Sequence, residues 1–145
     1  MRVCIIIRQF PEDESLVFGS GFLIQAYYLS RALEKLGVEV HVFTERRNKP
    51  ATDIMKGIIV HRCPKFFTTA GVIGCLGYNF SEGIWIQRLL KEYNIDVIHS
   101  HAPTTGVAFL RSKKMLVQPL IVTFHGTPIG EANAIDLSRD FTFKN

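Results

Sequence analysis

Short, uniformly apolar runs alternate with longer stretches of helical spacing along this chain. Val3 to Ile7 is the first such run. Phe10-Pro11-Glu12-Asp13-Glu14-Ser15 then reads as a loop. A helix is predicted from about Phe22 to Leu36, because Phe22, Ala26, Leu29, Leu33 and Leu36 recur at three- and four-residue intervals and Gly37 closes its end. A second strand, Val38 to Thr44, follows at once. A strand, a helix and a strand in this order make a βαβ unit, which favours a parallel sheet. Arg46 to Asp53 reads as a polar loop with a proline, and Gly57 to Cys63 as a third strand.

From Pro64 to Gly83 the pattern weakens. Apolar residues there are interrupted by Gly71, Gly74 and Gly77, which suggests a flexible apolar segment or a broken helix. Packing on the sheet is the simpler expectation for it; covering a partner or touching a lipid headgroup layer is the alternative. A helix is predicted from about Ser81 to Tyr93, with Asn94 as its stop signal. Asp96-Val97-Ile98-His99-Ser100-His101 is the next strand, followed by a helix from about Thr104 to Met115. A further strand runs from Pro119 to His125, and Gly126-Thr127 turn the chain beyond it. The last twenty residues carry only weak helical signals. The pattern predicts one α/β three-layer domain, Rossmann-like, with a mostly parallel sheet.

Composition narrows the function classes. At 145 residues and 47% apolar, the chain is one domain with enough apolar side chains for a core, so disorder is excluded. The net charge of +4 is spread along the chain. It permits anionic ligands or a membrane surface, and with no nucleic-acid module signature it gives no reason to expect a nucleic-acid partner. Cys4, Cys63 and Cys75 are too few and too scattered for a disulfide framework or a zinc knuckle, which fits a reducing, cytoplasmic setting. The apolar run at the start is too short for a signal peptide, and no segment reaches the about 18–20 apolar residues of a membrane span.

The candidate chemistry lies where apolar strands stop at histidine. Parallel α/β sheets bind ligands outside the carboxyl ends of their strands, and His99, His101 and His125 all sit at such ends. His99 and His101, at i and i+2, face the same way and could share a metal, but only Asp96 is near enough in sequence to add to them. No metal is therefore expected, and a hydrogen bond to the neighbouring loop is the plainer role. His125 is followed by Gly126, which lets the backbone approach a ligand closely. Ser20-Gly21 precedes a helix whose free N–H groups and positive dipole end suit an anion. Gly19-x-Gly21, with Glu45 after the second strand, partly fits a dinucleotide fingerprint. Ile24 stands in its third glycine position, however, and about ten residues separate the first strand from Gly19.

Three stretches together resemble the amino-terminal half of a GT-B glycosyltransferase of the large retaining group called family 4. They are Gly21 to Leu33 with Gly37-Val38-Glu39-Val40-His41-Val42-Phe43-Thr44 behind it, Asp96 to His101, and Val122-Thr123-Phe124-His125-Gly126. The resemblance spans residues 1 to about 127. It implies that Ser20 and Gly21 match a Gly-Gly loop beside the donor's phosphates and sugar, and that His125 is the catalytic histidine contacting the transferred sugar. It also implies that His101, Gly126 and Thr127 line the substrate cleft. Such enzymes move a hexose from a nucleotide sugar to a lipid or glycan alcohol, with retention and without a cofactor or obligatory metal. The chain departs from the pattern at Ser20 and at Gln25, where the family often has glycine and histidine.

The resemblance makes residues 1–145 a single acceptor-side domain, without the nucleotide-binding carboxyl-terminal domain, so the chain alone is expected to be inactive. Its partners would be the nucleotide sugar and acceptor of the complete enzyme, the missing carboxyl-terminal half or a second copy, and, peripherally, the inner face of a membrane. Two other readings stay open. One is a non-catalytic module that oligomerises through residues 64–83 or an exposed sheet edge. The other is a nucleotide- or NAD-binding Rossmann domain.

Overall fold

A computed structural model describes residues 1–13, 21–45, 51–63, 84–101 and 118–125. The expectations for residues 64–83, for a helix at 104–115 and for the last twenty residues lie outside this set, as do Ser20, Gly126 and Thr127. Six strands form one sheet: β1 (Arg2–Ile6), β2 (Glu39–Glu45), β3 (Thr52–Met55), β4 (Ile58–Cys63), β5 (Val97–Ser100) and β6 (Leu120–Val122). Their order is β3-β4-β2-β1-β5-β6. Every pairing is parallel except β3 with β4. Helix α1 (Gly21–Lys35) joins β1 to β2, and residues 84–92 form a second helix, α2, ahead of β5. The α/β class and the mostly parallel sheet are as expected.

The continuous apolar strands are explained by two cores, one on each side of the sheet. Ile5 and Val42 point to the α1 side and join Ala26 and Tyr27. Cys4, Ile6, Phe43 and Ile98 point to the other side and join Ile86, Leu89 and Leu90 of α2. A strand buried on both faces has no polar position to alternate with. Each isoleucine so buried contributes about 1.5–3 kcal/mol. Burial also pushes the Cys4 thiol well above its ordinary pKa, which keeps it unreactive.

Helix α1 is turned slightly from its predicted stripe. Its buried face is Leu23, Ala26, Tyr27 and Ser30, with Phe22, Leu29 and Leu33 partly covered. Ser30 is fully buried because its hydroxyl donates to the Ala26 carbonyl at 2.7 Å, which leaves no donor unmet. Leu36, expected on the stripe, is exposed, because the helix has already ended at Lys35. The ending is a Schellman motif. Val38 N–H donates to the Leu33 carbonyl (3.1 Å) and Gly37 N–H to that of Glu34 (2.9 Å), with Gly37 at φ +79°. Asn94 takes the same left-handed conformation (φ 49°) after α2, and Ile95 N–H reaches back to the Leu90 carbonyl.

One element was not expected. The polar loop read over Arg46 to Asp53 gives way to β3, an edge strand hairpinned onto β4 through Lys56 and Gly57. Both turn residues have positive φ (49° and 81°), the signature of the two-residue turn that matches the twist of a hairpin. Gly57 also lies against α1: a Cβ there would come within 2.8 Å of Glu34 Oε1, and Glu34 is held by Arg31 at 2.9 Å. Gly57→Ala is therefore expected to lower stability by about 1–2 kcal/mol, from the left-handed backbone and the displaced ion pair together. Urea unfolding would measure it, and an unchanged midpoint would show that the turn tolerates a side chain.

Candidate functional site

In chain order β1 connects to β2 on one side, while β5 lies on the other side of β1. The sheet therefore reverses between β1 and β5, and in open α/β sheets ligands bind beyond the carboxyl ends of the strands at such a point. His101 follows β5 immediately and sits on that rim, its backbone N–H donating to the Ile6 carbonyl at 2.9 Å. His125 follows β6, whose end is drawn to β5 by a bond from Thr123 N–H to the Ser100 carbonyl (2.9 Å). Register then does the rest. On β5, Val97 packs in the core on the α1 side and Ile98 in the opposite one, so residues 97, 99 and 101 share the α1 face.

Three histidines meet there. His101 Nδ1 lies 3.0 Å from His125 Nε2, with the rings nearly parallel at 5.2 Å between centroids. His99 lies against the other side of His101, centroids 4.4 Å apart, and its Nε2 is 2.7 Å from Thr123 Oγ1. His101 is buried, whereas His125 is exposed at the mouth. Burial and the neighbouring His99 and His125 push the His101 pKa down to about 4. His99 is lowered for the same reasons, burial first. His101 is thus a neutral imidazole at physiological pH.

The start of α1 closes the group. Phe22, the second residue of the helix, packs on the His125 ring at 5.9 Å between centroids. Gly21, the first, is exposed, with open space where a side chain would stand. The first turn of α1 itself carries no acidic residue to offset the positive end of its dipole. Of the residues singled out from sequence, the fold brings together Gly21, His101 and His125. His99, weighed from sequence only as a metal ligand, belongs with them, as do Thr123 and Phe22, which were not singled out. Strand alternation was the signal for His99 and Thr123; Phe22 could not be read without knowing where α1 sits.

Other candidates fall elsewhere. Asp96 lies at the opposite end of β5, where it accepts from Arg2 N–H at 2.7 Å while its own N–H donates to the Arg2 carbonyl. It therefore pins the strand starts and cannot complete a metal site with His99 and His101. Among the described residues no group of three or more histidine, cysteine or acidic side chains could hold a metal ion. Glu45, the acidic residue weighed for a dinucleotide ribose, is engaged by Arg8 at 3.2 Å. No helix among the described residues is long and apolar enough to cross a membrane.

Comparison with known proteins gives the same region a family context. Residues 20–141 match the family model for Glycosyltransferase Family 4. A sucrose-phosphate synthase from Thermosynechococcus elongatus superposes with a TM-score of 0.69 at 15% identity, over 88% of this chain and 34% of that one. A glycosyltransferase from Rickettsia africae superposes with a TM-score of 0.56 at 16% identity, over 87% of this chain and 30% of that one. This chain spans about a third of the length of each of these two solved chains. No curated protein sequence matches it significantly.

Proposed function

Because the chain belongs to glycosyltransferase family 4, we propose that it forms the acceptor-side wall of a cleft in which a hexose passes from a nucleotide sugar to a lipid or glycan alcohol, with retention at the anomeric carbon. Its six-stranded architecture is that of a GT-B amino-terminal domain. The observation that carries the proposal is the His101–His125 pair standing beside the open amino end of α1, at the reversal point of the sheet.

The chemistry of sugar transfer suits this arrangement. Leaving of a nucleoside diphosphate develops negative charge on phosphate oxygens and positive charge at the anomeric carbon. The amino end of α1, at Gly21 and with Ser20 before it, offers N–H donors and a positive dipole to the departing phosphate. His125, exposed at the mouth, offers a ring nitrogen to a hydroxyl of the sugar being transferred. Gly126 and Thr127 follow it in sequence and would carry the backbone along the same ligand. The buried His101 and the half-buried His99 behind it both have their pKa lowered, chiefly by desolvation, so they favour the neutral form and place no charge close to the forming cation.

His125→Ala in the natural full-length protein is expected to cut hexosyl transfer by about 100-fold or more, the usual effect of removing one preorganised donor. Transfer would be followed with radiolabelled nucleotide sugars against lipid and oligosaccharide acceptors. Near-normal turnover would remove His125 from the mechanism.

A further inference from the structure

The His101–His125 bond has only one proton. Both partners are ring nitrogens 3.0 Å apart, so one must donate and the other must accept. The rest of His101 decides which. Its Nε2 is buried and has no hydrogen-bond partner among the described residues. If His125 donated through Nε2–H, a neutral His101 would have to carry its own proton on that buried Nε2, an N–H with no acceptor. If His101 donates through Nδ1–H, its Nε2 is a bare lone pair, and orphaned buried N–H groups are rarer in proteins than under-satisfied acceptors. The low pKa of His101 removes the third case, a doubly protonated ring.

We infer that His101 is a positioning residue: by donating Nδ1–H to His125 Nε2 it fixes His125 in the tautomer that carries its proton on Nδ1. His125 is exposed, and among the described residues it is hydrogen-bonded to His101. Its free nitrogen is then an N–H donor, held in orientation by His101 at one end and by Phe22 against the ring face. Such a group takes an oxygen acceptor, a hydroxyl or ether oxygen of a sugar. His99 supports the arrangement from behind. It packs at a tilt on the His101 ring and, bonded to Thr123, keeps the ends of β5 and β6 at this spacing. The inference rests on the reading of His125 as a sugar contact only for its catalytic consequence; the tautomer is a property of the chain itself.

The test is nitrogen-15 NMR of the full chain with labelled histidine at pH 7.5, where two-bond couplings report which ring nitrogen of His125 is protonated. Wild type is expected to show Nδ1 protonated and Nε2 bare. His101→Asn, whose amide keeps a donor near the Nδ1 position, is expected to preserve that state. His101→Leu is expected to release it, and in the natural full-length protein to lower kcat by about 10–100-fold with little change in donor KM, while His101→Asn keeps most of kcat. A proton on His125 Nε2 in wild type, or an Nδ1–H tautomer that persists in His101→Leu, overturns the inference. The wild-type measurement stands even if His101→Leu does not fold. If His125→Ala leaves transfer intact, the catalytic reading falls and the tautomer result does not. If His125→Ala abolishes transfer while the tautomer is wrong, only the positioning role falls.

Discussion

Asp53→Ala should destabilise the fold by about 3–5 kcal/mol, and more than Arg62→Met does, although Asp53 is the more exposed of the two. Arg62 is one of the most deeply buried side chains among the described residues, at 1% exposure. Its guanidinium donates to Asp53 Oδ2 at 3.3 Å and to the Pro11 carbonyl at 3.1 Å. Removing Asp53 leaves a permanent, buried positive charge beside Pro11 without its carboxylate, and arginine cannot shed its proton to escape. Removing Arg62 in favour of methionine leaves Asp53, whose side chain is 23% exposed although its Oδ1 is buried, so that water can reach the carboxylate from one side while the methionine fills much of the vacated volume. The cost of Arg62→Met is therefore expected to be less than half of that for Asp53→Ala. Urea titrations at neutral pH would compare the two, and the reverse order would show that Arg62 matters for its packing more than for its charge. Arg62 also ties Pro11, in the segment that follows β1, to β4.

Most of this fold is legible in the sequence because its physics is local. A doubly buried strand needs an unbroken apolar run, and Val3 to Ile7, Val38 to Thr44 and Gly57 to Cys63 are such runs, each within one or two residues of the observed strand. Helix ends were readable from Gly37 and Asn94, since only a left-handed residue completes the turn there. β3 escaped because Thr52-Asp53-Ile54-Met55 is an edge strand with one polar face, and its only mark was Lys56-Gly57, a less familiar turn pair than Asn-Gly. The site was legible as a list of strand-end histidines, and its geometry was not. That His101 is buried and hydrogen-bonded to His125, while His125 stays open, depends on β6 lying beside β5, which no local pattern encodes.

The fold should lose stability steeply as pH falls from about 6.5 to 4, because two histidines on opposite sides of the sheet are held neutral. His61 is 1% exposed and has its pKa pushed down to about 4, by burial first and by His41 second. It stacks on His41, with Nε2 2.9 Å from His41 Nδ1, and Tyr93 packs across both rings. One tautomer set satisfies the chain of bonds: Thr52 hydroxyl donates to His61 Nδ1, His61 Nε2–H to His41 Nδ1, and His41 Nε2–H to the Glu39 carboxylate. A proton added to His61 breaks this order, since a doubly protonated His61 points an N–H at a hydroxyl that was donating. His101 is depressed to about 4 in the other cluster. In both cases the unfolded chain, with an ordinary pKa near 6.5, binds the proton that the folded chain refuses. The stabilisation is therefore full above pH 6.5, is lost as pH falls toward 4, and changes little below that for these two groups. The shift of each, from 6.5 to about 4, corresponds to about 3 kcal/mol, and two sites this far apart should add. Against a total of about 5–15 kcal/mol for an ordinary domain, that is enough to bring the chain near its unfolding midpoint in mild acid. Urea unfolding across pH 4 to 7.5 should show a slope approaching two protons taken up on unfolding near pH 5. His61→Gln keeps an amide in place of the ring and should reduce the slope by one. A stability that stays level over this range would mean that both clusters open to water and accept their protons without unfolding.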